Sequence, residues 1–517
     1  MISYPLLLFN NGILLQFLSD LLAVIYLIII VWLALYGLNN MINAVLYLRI
    51  KKTLKNKQDV FPPRDWPSVT IQLPIFNEKY TVERLLSAVT QLDYPVDCMQ
   101  IQVLDDSTDE TAELVRQLVD KYKKGGVNIE WLHRTNRKGY KAGALDEGLS
   151  QATGDFIAIF DADFVPRPDW LRKTVPLFQN NALGCLQTRW GHTNRTYNSL
   201  TNAQAMAIDG HFIVEQTVRS RNGLFLNFNG SAGLWRRACI EDVGGWAWDT
   251  LTEDLDLSYR AQMRGWKIDY VPDVVVPAEL PTQVEAFKNQ QFRWAKGSFQ
   301  VVRKILPEVF ERDDIPWTVR LMAFLHLTGY MVHPLMLCLL LLTLPVGLFQ
   351  PFAFKIFPFS FLAGFGPPLL YLVAASRQTP PFLERLKLIP LMTITGFGIS
   401  FSTSIAVFEG LVGKSGNFVR TPKLNLNNVH EKQKRIDRTY IQPVSPLVWG
   451  EIALGFYALL TGYILAGYIG WGIIPWMLIY TAGYFYIAGL NLIQHVPNWN
   501  TKISKSYAAS LNTPSNS

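Results

Sequence analysis

The chain has 517 residues, of which 49% are hydrophobic and 17% charged, and its formal net charge is +7. That length leaves room for two or three domains, and the four cysteines are too widely spaced to indicate a zinc knuckle or a disulfide framework. The basic residues cluster in loops beside apolar segments, a pattern typical of membrane orientation, so we expect no nucleic-acid partner.

Two regions of the chain are apolar enough to enter a membrane. They are residues 1–50 and 318–494, whereas residues 51–315 have the mixed composition of a globular domain. A membrane span needs about 20 mostly apolar residues. The candidate segments are 15–48, 318–346, 356–376, 388–410, 447–467 and 471–493.

The segment 388–410 conflicts with the charge of its neighbours if it is counted as a span. The loops on either side of it, 377–387 and 411–440, are both basic and should both face the cytoplasm. Six serine and threonine residues between 393 and 404 favour a helix lying in the cytoplasmic interface instead.

The remaining segments predict about five spans. The basic run RIKK at 49–52 places the N-terminus outside and the next domain in the cytoplasm. We therefore expect an N-terminal transmembrane helix at 1–50, a cytoplasmic domain at 51–315, a transmembrane bundle at 316–495 and a polar cytoplasmic tail at 496–517.

Strand patterns alternate with helix patterns through the first half of the expected cytoplasmic domain. Helices are predicted at 80–92, at 111–122, from Lys141 and from Pro168, and strands at 68–76, 99–106, 127–133 and 156–160. This alternation predicts a Rossmann-like α/β fold with a mostly parallel sheet and helices on both faces. Such sheets bind ligands at the carboxyl ends of their strands.

Acidic residues follow two of the predicted strands, as Asp105-Asp106 and as Asp161-Ala162-Asp163. A D-x-D triplet alone is weak evidence, because chance produces roughly one in a chain of this length. On one rim of a sheet, however, these charges repel one another unless a cation holds them. Mg²⁺ bridging a diphosphate fits this pattern. Because no Walker loop and no G-x-G-x-x-G follows a strand, the acids favour a nucleotide-sugar transferase.

A series of motifs resembles the processive family 2 glycosyltransferases of the cellulose synthase type, in particular the cellulose synthase-like mannan and glucomannan synthases. The motifs are QLPIFNE (72–78), VLDDSTD (103–109), GYKAGAL (139–145), FDADF (160–164), FNGSAG (228–233), TEDLDL (252–257) and QQFRW (290–294). The resemblance covers residues 68–425 and implies a GT-A fold for the cytoplasmic domain, beside an α-helical transmembrane domain.

The resemblance implies a site for the nucleotide sugar that needs Mn²⁺ or Mg²⁺. The residues implied for donor binding are Asp105, Asp106, Lys141, Asp161 and Arg293. Asp105 and Asp106 would contact the nucleoside, and Lys141 would meet the diphosphate as a point charge. Asp161 would also ligate the metal, together with Asp163.

The second D-x-D triplet would carry the catalytic base. An inverting transfer needs one carboxylate to take the proton of the attacking hydroxyl, and the resemblance assigns this role to Asp254. Asp254 starts a predicted helix, so we expect the helix dipole to keep it ionised at neutral pH. Asp256 is predicted to be structural, because Arg260 lies four residues further on.

The resemblance also implies an acceptor site and a lid. The residues implied for acceptor binding are Asn229, Gly230, Ser231, Glu253, Gln290 and Trp294, of which Trp294 offers a flat face for a sugar ring. A gating loop at 415–425 would close over the donor with Phe418, Thr421 and Lys423 and so exclude water. The alternative interpretation of this segment is a solvated basic loop.

We therefore expect an integral-membrane, inverting β-glycosyltransferase. It would polymerise a hexose from UDP-glucose or GDP-mannose onto a growing β-glucan or β-mannan, and no side chain decides between the donors. Synthesis would be processive, and the polymer would be threaded through the spans, which contact membrane lipids. One rival is an enzyme that adds a single sugar to a polyprenyl phosphate or diacylglycerol, and another is a scaffold or exporter with an inactive domain. The sequence does not predict partner subunits.

Overall fold

The computed structural model describes residues 4–53, 63–354, 360–376, 383, 386–414, 416, 419–426 and 440–495. The chain forms two compact units. The first, which we call the sheet unit, contains Leu46–Thr328 and Glu409–Gln442. The second, the helical unit, contains Met1–Val45, Gly329–Phe408 and Pro443–Trp499.

The sheet unit is built around one mixed sheet. In chain order its strands are β1 Val69–Ile75, β2 Met99–Asp105, β3 Ile129–His133, β4 Phe156–Ile159, β5 Leu183–His192, β6 Gly233–Arg236 and β7 Lys267–Ala278. Their spatial order is β3-β2-β1-β4-β6-β5-β7. The strand β6 is antiparallel to both β4 and β5, and the other neighbours are parallel. The predicted mostly parallel sheet is confirmed.

Helices connect the strands and cover both faces of the sheet, as the alternating pattern predicts. In chain order, the helices as far as residue 327 are α1 Tyr4–Thr53, α2 Val82–Thr90, α3 Thr111–Lys124, α4 Tyr140–Ser150, α5 Trp170–Thr174, α6 Ser199–Asp209, α7 Thr217–Arg221, α8 Arg237–Asp242, α9 Glu253–Met263, α10 Val284–Glu311 and α11 Trp317–Leu327. Of these, α1 precedes the sheet and lies mostly in the helical unit. A π-helix, Gly210–Gln216, joins α6 to α7. Because α2 and α3 bury apolar residues in one core cluster and α4, α8 and α9 in another, the strands between them are buried on both faces. On one of these faces β1 and β2 carry hydrogen-bonded polar side chains, Thr70, Gln72, Gln100 and Gln102.

The carboxyl ends of β1, β2, β4 and β5 lie at one edge of the sheet. β5 points the same way as β4 because β6 runs antiparallel to both. The backbone N–H of Asp106 donates to the carbonyl of Ile75 at 2.9 Å, which joins the ends of β1 and β2. The acidic residues after β2 and β4 therefore share one rim, as the sequence predicts.

The prediction of one apolar segment over 318–346 is wrong, because the helix that begins it ends before the candidate span starts. The helix α11 ends at Leu327, and the chain continues through a short 3₁₀ turn, Gly329–Met331. α11 belongs to the sheet unit, because its buried Ala323 and Leu327 pack in a cluster with residues of α9 and α10. The hydroxyl of Tyr259 also contacts His326 Nδ1 at 2.7 Å.

The helical unit contains apolar helices. After α1 these are α12 Val332–Phe349, α13 Ser360–Ala375, α14 Leu388–Gly398, α15 Ser400–Leu411, α16 Leu447–Ile469 and α17 Ile474–Gln494. Within the described residues, four segments are long and apolar enough to cross a membrane: Leu14–Ile50, Gly329–Phe349, Leu447–Ile469 and Trp471–Gln494. The count reaches five if α14 and α15, which meet at an angle of 48°, form one broken span. The predicted segment 356–376 begins outside the described residues, and its helix α13 is shorter than these spans.

Polar residues of the segment 388–410 make hydrogen bonds and packing contacts within the helical unit. Ser400 is buried, and its hydroxyl lies 2.8 Å from that of Tyr484. A Cβ added to Gly398 would lie 2.3 Å from the carbonyl oxygen of Gly483, so α14 packs directly on the backbone of α17. Serine and threonine therefore have a packing role here, and the interfacial position stays a prediction.

Candidate active site

A cavity of about 190 Å³ opens at the acidic rim of the sheet unit. The predicted site residues that line it are Asp106, Lys141, Asp161, Asp163, Asn229, Gly230, Glu253, Asp254, Gln290, Arg293, Trp294, Thr421 and Lys423. Asp105 and Ser231 are close in sequence to lining residues but are themselves completely buried. Phe418 lies outside the described residues.

Lys141 connects the D-x-D motif to the loop that contains Gly230. It lies in the first turn of α4, and its ammonium group donates to Asp161 Oδ1 at 2.6 Å and to the carbonyl of Gly230 at 2.7 Å. Glu253 Oε1 is 3.8 Å away. Burial alone would lower the pKa of Lys141, but the carboxylates of Asp161 and Glu253 outweigh it and the pKa is raised. Lys141 is therefore a cation at neutral pH.

The two aspartates after β4 have different partners. Asp163 Oδ2 accepts a hydrogen bond from Lys423 Nζ at 2.9 Å and one from the backbone N–H of Glu279 at 2.8 Å. Lys423 also donates to the carbonyl of Glu279. Asp161, in contrast, is oriented by its own backbone N–H, which donates to Ser231 Oγ at 2.9 Å. The D-x-D turn thus directs one carboxylate toward α4 and the other toward the end of β7.

Asp254 lies in the first turn of α9 beside the glycine of the FNGSAG motif. The N–H of Leu255 donates to Asp254 Oδ1 at 2.8 Å. A Cβ added to Gly230 would lie 3.0 Å from Asp254 Oδ2. Burial, with the neighbouring Glu253, raises the pKa of Asp254 to about 7, although Lys141 and the Leu255 N–H lower it.

Burial acts against the expected effect of the helix dipole on Asp254, so the ionisation of Asp254 at neutral pH stays a prediction. A helix N-terminus stabilises a nearby charge by about 0.3–1 kcal/mol at exposed sites. Desolvation of a buried carboxyl is a larger effect and acts in the opposite direction. Asp254 is consequently a stronger base than an ordinary aspartate.

The long helix α10 presents Gln290, Arg293 and Trp294 to the cavity. Their spacing of three and four residues places them on one face of the helix. Burial lowers the pKa of Arg293, against the opposing effect of Glu253, Asp161 and Asp254. A guanidinium remains charged under these conditions, so Arg293 is a further cation beside the acids, in addition to Lys141 and Lys423.

The two aspartates after β2 are not equivalent. Both oxygens of Asp106 accept from the guanidinium of Arg134, at 2.7 and 2.6 Å, and Asp106 lines the cavity. Asp105 instead accepts from the indole N–H of Trp131 at 3.0 Å, and its Oδ2 lies 3.2 Å from His133 Nδ1. Asp105 therefore supports the rim from inside. Its contact with a donor, like that of Asp106, stays a prediction.

The residues just before β6 either line the cavity or support the residues that line it. Gly230 has a φ of +79°, a conformation that glycine adopts without steric cost. The amide of Asn229 lines the cavity. Ser231 is buried and, besides holding Asp161, accepts at its carbonyl from the indole N–H of Trp190 at 3.2 Å. Ser231 thus supports the cavity from beneath. It does not line the cavity, so its contact with an acceptor stays a prediction.

The described part of the predicted gating loop is attached to the rim and belongs to the sheet unit. Shortly before the loop, Glu409 accepts from Lys296 Nζ at 2.8 Å. At its end, the N–H of Leu424 donates to Glu279 Oε1 at 2.8 Å. Thr421 and Lys423 line the cavity between these points. Whether the loop moves over a donor stays a prediction.

Sequence reasoning missed several charged residues that line the cavity. They are Glu78, Arg137, His192, Glu279 and Arg420. Burial raises the pKa of Glu78 to about 8, against the opposing charge of Arg420. Glu78 and Glu279 follow the carboxyl ends of β1 and β7, which is the position that singles out the predicted acids. The same rule applied to every strand would have found them.

The acids fit a metal that takes most of its ligands from a substrate. Among the residues that the structure describes, no three His, Cys, Asp or Glu side chains are grouped closely enough to hold an ion. Asp161 and Asp163 are instead a pair of oxygen ligands, each paired with a lysine. Mg²⁺ and similar ions often use one or two carboxylates with substrate phosphate oxygens, so the pair fits an ion that arrives with a diphosphate.

A mostly parallel sheet with one antiparallel strand, whose acidic strand ends open onto a single cavity, defines the GT-A class of glycosyltransferase fold. The predicted fold is confirmed. Residues 67–297 match the family Glycosyltransferase like family 2. The chain therefore carries a glycosyltransferase family 2 domain, as its motifs indicate.

Proteins of the cellulose synthase-like type are similar to this chain. Glucomannan 4-beta-mannosyltransferase 1 of Oryza sativa subsp. japonica is 41% identical over 286 residues, which cover 53% of this chain and 55% of that protein. Glucomannan 4-beta-mannosyltransferase 7 of Arabidopsis thaliana is 39% identical over 295 residues, covering 55% of this chain and 53% of that protein. The chain spans about half the length of the curated relatives it matches.

A solved structure that is also similar is the mannosyltransferase PcManGT from Pyrobaculum calidifontis in complex with GDP-Man and Mn²⁺. It has 22% sequence identity and a TM-score of 0.49, and the match covers 75% of this chain and 100% of that chain.

Proposed function

We propose that this protein is an inverting β-mannosyltransferase that extends a polysaccharide from GDP-mannose. The proposal rests on the residues that line one cavity. Two carboxylates able to hold a metal ion lie there with two cations and one aspartate whose pKa is raised. These groups are Asp161, Asp163, Lys141, Arg293 and Asp254. The choice of mannose over glucose rests on the relatives, which are named glucomannan 4-beta-mannosyltransferases.

The donor diphosphate would lie between the carboxylates and the cations. Asp161 and Asp163 would hold Mn²⁺ or Mg²⁺, which, when bound, neutralises the charge that develops on the departing diphosphate. Lys141 and Arg293 would stabilise the same charge from the other side, Lys141 as a point charge and Arg293 as a planar fork. Asp106 would contact the nucleoside together with Arg134, its ion-pair partner.

Asp254 would act as the general base. Its carboxylate takes the proton of a hydroxyl on the terminal acceptor sugar, and that oxygen forms a bond to the anomeric carbon of the donor as the bond to the diphosphate breaks. GDP leaves with the electron pair of the broken bond. A single displacement from the opposite face inverts the anomeric configuration, which gives a β-linkage from an α-linked donor.

The acceptor would lie against α10 and the loop before β6. Trp294 would stack on a sugar ring, and Gln290, Asn229 and Glu253 would bond to its hydroxyls. The loop around Thr421 and Lys423 would keep water out, because water competes with the sugar hydroxyl for the donor.

The helical unit would anchor the enzyme in a membrane, with the sheet unit in the cytoplasm and the N-terminus outside. The candidate spans and the basic loops support this arrangement. A chain made processively would then pass from the cytoplasmic face across the bilayer, through a passage formed by the spans.

The test is an assay of the full chain in lipid nanodiscs with radiolabelled GDP-mannose and a β-linked manno-oligosaccharide. We expect Mn²⁺-dependent elongation, lost with EDTA and restored by added metal, and a product that β-mannanase digests. Label found only in a lipid-extractable monoglycoside would favour the lipid-acceptor alternative. Polymer from UDP-glucose alone would overturn the donor assignment, and no transfer from either donor would overturn the proposal.

A further inference from the structure

The π-helix between α6 and α7 places two ionisable residues beside the cavity. π-helical turns are rare and occur frequently at functional sites. This one, Gly210–Gln216, carries His211 and Glu215, whose side chains are each about one quarter exposed. His211 Nδ1 lies 2.9 Å from Glu215 Oε2, and His211 Nε2 lies 3.0 Å from Asn229 Oδ1. The pair therefore contacts a residue that lines the cavity.

The hydrogen-bond network defines the orientation of the Asn229 amide. Asn229 Nδ2 donates to the carbonyl of Asn227 at 3.2 Å, and Asn227 Nδ2 donates to Asn229 Oδ1 at 3.0 Å. The oxygen of Asn229 therefore faces His211. Among the residues that the structure describes, the second amide hydrogen of Asn229 has no partner, so it is available to a ligand in the cavity.

His211 bridges Glu215 and Asn229 through its two ring nitrogens, Nδ1 on the Glu215 side and Nε2 on the Asn229 side. Burial alone would raise the pKa of Glu215, but the hydrogen bond and the charge of His211 outweigh it and the pKa is lowered. Gln216 Nε2, 3.3 Å from His211 Nε2, donates to the carbonyl of Asn227 at 3.0 Å.

We propose that His211 and Glu215 are positioning residues for the acceptor sugar. They hold the oxygen of Asn229 away from the cavity, so that its free N–H can donate to a hydroxyl oxygen of the terminal sugar. Gly230, the next residue, approaches Asp254 closely, which places this contact on the acceptor side of the base. The inference rests on the proposed function, because it needs a sugar acceptor beside Asp254.

The first test compares substrate requirements of single variants of the full chain in nanodiscs. We expect His211→Ala and Glu215→Gln to raise the manno-oligosaccharide KM about tenfold, the effect of one lost charge-assisted hydrogen bond. The KM for GDP-mannose should change by less than about twofold. Glu241→Gln is the matched control, because Glu241 also pairs four residues along a helix, with Arg237, outside the cavity. Equal changes in both KM values would overturn the proposal.

The second test is a double-mutant cycle. If His211 acts through Asn229, then His211→Ala combined with Asn229→Ala should raise the acceptor KM no further than Asn229→Ala alone. Independent effects that multiply would overturn the proposal. Glu215→Gln replaces only one carboxylate oxygen with an amide nitrogen, so it keeps the test open if His211→Ala does not fold. Donor binding, measured by thermal shift with GDP, identifies a misfolded variant.

Failure of the inference can be distinguished from failure of the proposed function. Wild-type protein that elongates manno-oligosaccharides while His211→Ala leaves the acceptor KM unchanged would contradict the inference alone. Wild-type protein that transfers to no sugar acceptor would contradict both.

Discussion

At the scale of single residues, the cations beside the cavity separate the acids by role. Asp106, Asp161 and Asp163 each accept directly from a cationic side chain at 2.9 Å or less. Each of these three carboxylates therefore already has a cationic partner. Asp254 instead accepts from a backbone N–H, and burial raises its pKa to about 7. The acid that we propose as the base is thus the one whose environment raises its pKa.

The first prediction concerns the pH dependence of transfer. Because the deprotonated form of Asp254 accepts the proton, kcat/KM should fall as the pH is lowered through about 7. Asp254→Asn should lower the rate by about 10²–10⁴ and remove this dependence. The check is a pH–rate profile of wild type, Asp254→Asn and the surface variant Glu241→Gln. A wild-type rate that did not change between about pH 6 and 8 would contradict the assignment.

The second prediction tests the close approach of Gly230. An added Cβ would lie 3.0 Å from Asp254 Oδ2 and 3.4 Å from Lys141 Nζ. We expect Gly230→Ala to lower activity by about 100-fold, because small displacements at a reacting centre have effects of this size. Gly223→Ala is the control: its φ is also positive, at +62°, but nothing lies within 4 Å. Similar activity in the two variants would show that the contact is unimportant.

At the scale of elements, the helix α9 assigns its two aspartates to different tasks. Asp254 faces the cavity, whereas Asp256 is completely buried. Asp256 Oδ2 accepts from Arg260 at 2.7 Å, which confirms the predicted helix pair, and Asp256 Oδ1 lies 2.8 Å from Lys304 Nζ. One triplet therefore supplies both the proposed base and a buried acid whose ion pair with Lys304 joins α9 to α10.

The third prediction follows from this division. Asp256→Asn should lower the free energy of unfolding by about 3 kcal/mol or more, because it leaves the cations beside a neutral group in a buried site. Asp254→Asn should leave stability nearly unchanged. Chemical denaturation of both variants in the same detergent checks this. An equal loss of stability in both would contradict the separation of roles.

The fourth prediction concerns the loop that carries Lys423. Lys423→Met removes the ammonium group 2.9 Å from Asp163 and should raise the GDP-mannose KM about tenfold, since one charge-assisted bond to the rim is lost. Lys414→Met is the control, because Lys414 is exposed and pairs with Glu409 shortly before the loop. Steady-state kinetics of both variants provide the measurement. Equal donor KM values in the two variants would show that the loop lysine has no role at the donor.

At the scale of the whole molecule, the charged residues of the cavity and the long apolar helices lie in different parts of the chain. The acids, cations and cavity belong to the sheet unit, and the four candidate spans lie mostly in the helical unit. Unpaired charges are expensive in a bilayer, so this separation is compatible with one chain that carries both a polar cavity and helices apolar enough to cross a membrane.

The fifth prediction is made at this scale. The full chain should remain in the membrane pellet after washing with alkaline carbonate, because several apolar helices of bilayer length are not removed by breaking ionic contacts. In sealed inside-out vesicles, added protease should cleave loops of the sheet unit and leave the N-terminus protected. Release by carbonate, or protection of the sheet unit, would contradict the proposed topology.

Much of the fold could be predicted because it depends on local patterns. The strands β1 to β4 and the helices α2, α3 and α4 lie within a few residues of their predicted positions, since apolar periodicity and turn residues act over short distances. The sharing of one rim by the acids follows from the parallel arrangement of the strands. Residue identity was also enough for the motifs, which indicate the family before any contact is known.

The tertiary structure decided what depends on neighbours that are distant in sequence. Only the fold separates Asp105, which supports Trp131, from Asp106, which lines the cavity. Burial, which a sequence does not display, raises the pKa of Asp254 against the helix dipole. Packing against α9 and α10 draws residues 317–327 into the sheet unit, and the π-helix brings His211 to Asn229. Hydrophobic patterns specify elements, but desolvation and long-range contacts decide what each polar group can do.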